Sequence, residues 1–332
     1  MRLKRGAFVA MAAAALGSFG RARAQSDADP AISAPTPSLR VLLGHGQTAP
    51  GPDAKSFVFD GQPYRGSYLQ IAGGAIVNLV DVEEYLYSVV PREMPSSWPA
   101  AALRAQATCA RTYVLQRSDP RRAYDLVPSE LDQVYRGLAG ESPDGRAAVD
   151  ATLGDVLRFD GRFATVAYSS CCGGHTEASS DAWGGAPLPY LGGVPCPFCM
   201  GSPNYRWTTT IPLGDVERRF EQQLAALGRL QTVTIAQRDA SGRASSFELQ
   251  AERGGAVVKG SAFRLAMGPR TLRSLLISDM HVEASGALVI EGGGLGHGVG
   301  MCQWGARGMA LAGRTARDIL MWYFPGTELG ND

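Results

Sequence analysis

Residues 81–117 read DVEEYLYSVVPREMPSSWPAAALRAQATCARTYVLQR, and the parsing of this stretch decides the fold. Asp81 is a helix-capping residue with Glu84 three positions on, and Val82, Tyr85, Leu86, Val89 and Val90 recur at helical spacing. Pro91 lacks an N–H and clashes with the preceding turn, so this first helix is expected to end there. A second helix is expected from Pro99, a good first-turn residue, to about Arg117, with Leu103, Ala107, Ala110 and Val114 as its apolar stripe. Between them lies VVPREMPSSWP (89–99), a proline-bounded connection with a single carboxylate, Glu93.

Outward from this helical pair the pattern changes. Residues 39–80 and 155–170 contain short β-like runs punctuated by glycine and proline, and 141–153 reads as a helix. From 207 to 291 the chain alternates β runs (TVTIAQRD, SSFELQAE, VVKGSAFRLAM, ALVIEGG) with a helix near 213–227, which predicts a β-rich subdomain. A glycine loop (292–300) and helices at about 301–312 and 316–323 complete the chain, the last capped by Thr315 and Asp318. Helices and short strands without regular βαβ alternation predict an α+β fold over 39–329.

The N-terminus reads as an export signal: a basic start (MRLKR), a short apolar run, and a small-residue cleavage site at Ala22-Arg23-Ala24, giving a signal peptide over 1–24 and a flexible leader over 25–38. The expected location is outside the cytoplasm, in the periplasm or cell wall, and no later segment is long and apolar enough to span a bilayer. With 32 Lys+Arg against 31 Asp+Glu, nothing in the charge asks for nucleic acid or an anionic membrane as partner.

Three constellations carry chemistry. Beside Glu93, Met94, Trp98 and the prolines are expected to exclude water and so favour the protonated carboxyl, the form that can donate a proton to a glycosidic oxygen. Arg104 and Arg111 lie seven apart on the second helix and share a face, and Gln106 lies close to the apolar stripe, a row suited to meeting a substrate. The pairs Cys172-x2-His175 and Cys196-x2-Cys199 supply four sulfur and nitrogen donors at the spacing of a structural zinc site; in an oxidising compartment two disulfides are the alternative. The loop GGGLGHGVGMCQWGARG (292–308) superficially matches a dinucleotide fingerprint, but no second strand follows to complete a βαβ unit. His297, Gln303 and Trp304 there offer donors and a stacking face to a sugar.

These motifs together resemble the stage II sporulation protein D (SpoIID) family, which includes the LytB-type amidase enhancers. VEEYLYSVVPREMPSSWPAAALRAQATCARTYVL, AYSSCCGGHTEASSDAWGG, SAFRLAMG with LRS, and GLGHGVGMCQWGARGMALAGRTARDILMWYFPGTEL occur in the family's order and cover about 39–329. The resemblance implies a lytic transglycosylase acting on peptide-denuded peptidoglycan glycan strands, with Glu93 as the catalytic acid. Arg104, Gln106, Arg111 and His297 are implied as substrate or active-site partners. It implies a cleft between a helical and a β-rich part, and it favours structural zinc at the CGGH region.

Two positions depart from the family pattern: Cys109 replaces a small residue in AxAARTY, and Cys302 replaces Ser in HGVGMSQWGA. We expect these two to form a disulfide that pins the second helix to the glycine loop and brings His297 near Glu93. The alternative to the enzyme is a peptidoglycan-binding amidase enhancer, whose partner is a cell-wall amidase. A zinc amidase is a further alternative and requires an open metal position.

Overall fold

The computed structural model describes residues 38–129 and 131–331; the expected signal peptide and nearly all of the leader lie outside the described residues. The first helix, α1 (Val82–Glu93), begins where the Asp81 carboxylate accepts hydrogen bonds from the N–H groups of Glu83 (2.8 Å) and Glu84 (3.4 Å). It does not end at Pro91. The proline removes one intrahelical hydrogen bond, yet the helix continues for two more residues to Glu93 before Met94 N–H closes onto Val90 O at 3.0 Å. The Pro91 ring packs on Gly145 of α3 (Pro143–Asp150), where a Cβ would collide with it. Glu93 therefore leaves the end of a helix, not the middle of a loop.

The second helix, α2 (Ala100–Arg117), is the centre of the larger part. Nearly all its residues from Ala102 to Leu115 are buried, Arg104 being exposed, as befits a helix covered on every side. Alanines 102, 105, 107 and 110 let α1, α3 and the C-terminal helices approach it closely. Two small antiparallel sheets (strands 38–44, 76–81 and 67–70; strands 48–50, 56–59 and 62–65) cover one side. A third joins 155–159 to 162–163 and to the C-terminal strand 328–331. Tyr168–Ser169 pairs in parallel with Met301–Cys302 and so brings the end of the glycine loop beside the middle of the chain.

After the short α4 (Ser179–Trp183), a second hydrophobic core is built wholly from Trp207 to Ile290. Two three-stranded antiparallel sheets (207–212, 287–292, 277–282; 230–238, 244–251, 254–259) enclose it with α5 (Leu213–Arg219), α6 (Glu221–Leu224) and α7 (Gly260–Met267). The fold is α+β, with small sheets and, among the described residues, no barrel. The run VVKGSAFRLAM, expected as β, divides: 254–259 is a strand, and from Gly260 the chain becomes helical. Buried Phe263 and Met267, four apart, form the inward stripe of α7, a helical period hidden within a run that is apolar throughout. The helices α8 (Gln303–Leu311) and α9 (Ala316–Tyr323) return to α2, the latter through a full capping box of Thr315 and Asp318. Among the described residues, no helix is long and apolar enough to cross a membrane.

Candidate active site and thiol cluster

Glu93 is half-buried, and its Oε1 accepts the Val134 N–H at 3.2 Å. Its charge is felt by three phenols. Burial raises the pKa of Tyr85, Tyr113 and Tyr168, and the nearby Glu93 carboxylate adds to the rise in each. The Tyr168 hydroxyl accepts from Gln133 Nε2 at 3.0 Å, and the Tyr113 hydroxyl donates to Asp132 at 3.0 Å. Asp132 also accepts the Val127 N–H (2.9 Å) and faces Arg117 (3.7 Å), so this second carboxylate is held by three partners. Of the neighbours expected to shield Glu93, Met94 is packed into the main core and Trp98 meets Trp304 with ring centroids 5.0 Å apart.

The substrate-facing row divides. Arg104 is exposed on α2. Gln106 is buried, accepts from Gln303 Nε2 at 3.3 Å, and leaves its own Nε2 without a partner. Arg111 corrects the expectation: it is 1% exposed and forms a two-pronged ion pair with Glu83 (2.7 and 2.6 Å). It also donates to the carbonyls of Asp155 (3.1 Å) and Val149 (3.4 Å). Seven residues place Arg104 and Arg111 on one face, but that face is covered at Arg111 by α1 and α3, so its guanidinium ties helices together and does not meet a glycan.

His297 and Glu93 both act on Tyr168, the imidazole at its backbone carbonyl and the carboxylate through its charge on the phenol. His297 Nδ1 accepts the Val299 N–H at 3.0 Å, and the Tyr168 carbonyl acts on the ring as an acceptor. Burial, helped by Arg264, depresses its pKa to about 4, while the Tyr168 carbonyl opposes this. It lines a narrow pocket with Glu177, Trp183, Ser261 and Arg264, at the border with the second core. Trp183 and His297 have centroids 5.2 Å apart. Burial raises the Glu177 carboxyl to about 8 against the pull of Arg243, whose Nε lies 3.3 Å away. Gly298 is left-handed (φ 81°), and a Cβ there would strike the Arg243 guanidinium, so the loop needs glycine on both counts. The pocket between the two parts is thus at His297, whereas the groups around Glu93 come from α1, α2, residues 132–134 and Tyr168.

The thiols assemble differently from their spacing. Cys172, Cys196, Cys199 and Cys302 are all buried, and their sulfurs lie within 4.8 Å of one another. Cys172 and Cys199 are 3.7 Å apart, against about 3.8 Å for the edge of a tetrahedron with ~2.3 Å metal–sulfur bonds. Cys302 also accepts the N–H groups of Cys172 (3.2 Å) and Gly305 (3.3 Å). Gly305 is required by close packing, since a Cβ would meet the Tyr323 hydroxyl and lie 2.6 Å from Cys196 Sγ. His175 is not the fourth donor; its Nδ1 lies 2.6 Å from the Thr176 carbonyl, and its backbone bridges to Pro195. Nor is Cys302 bonded to Cys109. All six thiols are free, and Cys109 Sγ instead meets Met301 Sδ at 3.9 Å. The parallel pairing of 168–169 with 301–302 sends Cys302 toward Cys172 and leaves its neighbour Met301 facing α2.

The sequence reading missed Tyr85, Tyr113, Gln133, Val134 and Tyr168 around the acid, and Cys302 among the thiols. Tyr85 and Tyr113 left a faint signal, polar-tipped rings on the buried faces of the two helices flanking Glu93; Gln133, Val134 and Tyr168 left none.

Comparison with known proteins gives a consistent picture. A family model described as "Stage II sporulation protein" (SpoIID) matches residues 72–159, and another, a domain of unknown function, matches 199–300. An uncharacterized protein of Brachyspira hyodysenteriae is 31% identical over 279 residues, 82% of this chain and 74% of that protein. Stage II sporulation protein D of Bacillus subtilis is 28% identical over 274 residues (76% and 75%). The amidase enhancer of the same organism is 29% identical over 291 residues, covering 74% of this chain and 40% of the longer protein.

Proposed function

Since this chain belongs to the SpoIID family and so to a group of cell-wall proteins, we propose that it is an exported lytic transglycosylase of peptidoglycan glycan strands with Glu93 as its acid and base. The observation that carries this is the placement of a half-buried carboxylate at the end of α1, its Oε1 accepting the Val134 N–H and its charge acting on Tyr85, Tyr113 and Tyr168. The protonated Glu93 gives its proton to the oxygen joining N-acetylmuramic acid to N-acetylglucosamine. The Tyr168 hydroxyl and the Gln133 amide offer fixed dipoles to the charge that develops on the sugar ring. Glu93, now anionic, takes the proton of the muramoyl 6-hydroxyl as that oxygen closes on C1, giving the 1,6-anhydro end and restoring the acid.

This route needs no second carboxylate. Asp132, engaged by Tyr113, Val127 and Arg117, fits a supporting role better than that of a base for water. The test is mass spectrometry of products from purified protein and isolated glycan. Anhydro-ended fragments that vanish with Glu93→Gln support the reading, while reducing-end products or none would overturn it. The likeness to the amidase enhancer supports a second reading, glycan binding without turnover in the service of a cell-wall amidase. That reading gains if glycan binds, no product forms, and an added amidase is stimulated.

The thiol set fits zinc. Four buried sulfurs within 4.8 Å of one another, one pair at 3.7 Å, would hold the ion through Cys172, Cys196, Cys199 and Cys302, and four protein ligands leave no open position for a hydrolytic water. The ion would supply cross-linking between the 196–199 turn, Cys172 and the start of α8. A zinc amidase, which needs that open position, is not supported.

A further inference from the structure

One cation near the active-site helix has a desolvated nitrogen and no anion to answer it. Arg307, on α8, is half-buried, and its Nε is buried without a hydrogen-bond partner. Its guanidinium carbon lies 5.1 Å from the Trp304 ring centroid and 5.8 Å from that of Trp98, and the two indoles meet edge to face. No carboxylate pairs with it among the described residues, although the chain carries nearly as many acids as bases. Indole faces compensate part of the lost hydration of a guanidinium, but they leave its planar N–H fork unused.

The place of this pair in the fold matters. Trp98 sits five residues after Glu93, in the turn joining α1 to α2, and Trp304 follows Gln303, the residue that reaches Gln106. The platform therefore begins where the acid's helix ends. An indole face fits the apolar face of a pyranose, and an unused guanidinium fork fits a carboxylate at two points.

We propose that Trp98, Trp304 and Arg307 form a subsite for a sugar bearing a free carboxylate, with Arg307 reading the anion. The assignment builds on the glycan-strand reading above. In such strands the sugar of that chemistry is N-acetylmuramic acid, whose lactyl group offers a carboxylate when unsubstituted and an amide when a peptide is attached. Arg307 thus makes the subsite sensitive to that substitution, because an amide carries no charge and only one acceptor oxygen.

The test is calorimetric binding in the full mature chain carrying Glu93→Gln, so that turnover is not required. The probes are a tetrasaccharide of alternating N-acetylglucosamine and N-acetylmuramic acid with free lactyl carboxylates, the same compound as its methylamide, and chitotetraose. The free acid is expected to bind about tenfold to a hundredfold more tightly than either neutral compound. Arg307→Met is expected to narrow that ratio to near one, and Arg307→Lys to keep part of it. Equal Kd values for acid and amide, equal losses on both with Arg307→Met, or no binding of any probe would overturn the assignment. So would Arg307→Lys matching Arg307→Met, with thermal unfolding showing both folded. A free stem tetrapeptide separates a peptide carboxylate from a sugar one; if it competes as well as the tetrasaccharide, the sugar assignment fails. Selective binding without anhydro product from the wild-type protein would leave the subsite standing and remove the lyase reading.

Discussion

The acid site and the thiol cluster are built by opposite means. Glu93 stands in a stretch of eleven residues whose prolines and helix ends fix its position, and only its wall of Tyr113, Gln133, Val134 and Tyr168 comes from elsewhere. The cluster draws Cys172, a turn at 196–199, and Cys302 from the far end of the chain, 130 residues after Cys172. A functional group set by local geometry tolerates substitution in place, because the helix that carries it does not depend on its side chain. A group set by long-range convergence carries the fold that produced it. The difference predicts where function and stability separate.

The sharpest way to break this comparison is at Glu93. Glu93→Gln is expected to lower turnover of glycan by about 10²–10⁴-fold while Tm stays within a few degrees. A large fall in Tm would mean that the acid is also structural. Cys302→Ser should do the reverse: zinc content, measured by atomic emission on purified protein, falls from near one per chain toward zero, and Tm falls with it. His175→Ala should keep its metal, because its ring lies on the Thr176 carbonyl outside the thiol set. Metal loss in His175→Ala with retention in Cys302→Ser would invert the ligand assignment. Arg111→Met comes next. Leaving the Glu83 carboxylate buried and unpaired is expected to cost about 3–5 kcal/mol in chemical denaturation, and loss of glycan affinity without loss of stability would return Arg111 to the substrate.

The sequence carried the local half of this molecule and little of the distant half. Asp81 and Thr315 announced their helices through side-chain caps, which act within a single turn. Pro91 places the end of α1 only to within a turn, since the loss of one N–H does not stop the next two residues from staying helical. Arg111 misled because helical periodicity tells which residues share a face and not what that face meets. Cys302 and Cys109 both depart from one family pattern, which suggests pairing them, yet the parallel pairing of Tyr168–Ser169 with Met301–Cys302 decides their neighbours, and no spacing in the sequence encodes that pairing. His175 had the right interval to Cys172 and points elsewhere. Intervals of two or three residues fix what is near along the chain, whereas the fourth ligand depends on strand pairing.

The smallest expected effect lies at the border of the two parts, where Glu177 and His297 titrate in opposite senses. Glu177 is 4% exposed, with its carboxyl raised to about 8. In the unfolded chain it loses its proton near pH ~4.3. Between these values the folded state holds more protons than the unfolded state, so this group's contribution to stability falls as pH rises from about 4 to 8. His297, depressed to about 4, works the other way: below its unfolded value of ~6.5 the unfolded chain takes up the proton first, so acidification toward pH 4 also destabilises. Together they place a shallow optimum between the two limbs. Glu177→Gln keeps the shape of the protonated carboxyl and removes the alkaline limb, at the cost of the Arg243 contact. The variant should therefore gain on the wild type by about 1–3 kcal/mol between pH 5 and 9 in denaturant titrations. A difference that does not change with pH would mean that Glu177 keeps its charge and that the Arg243 ion pair, not burial, governs this pocket.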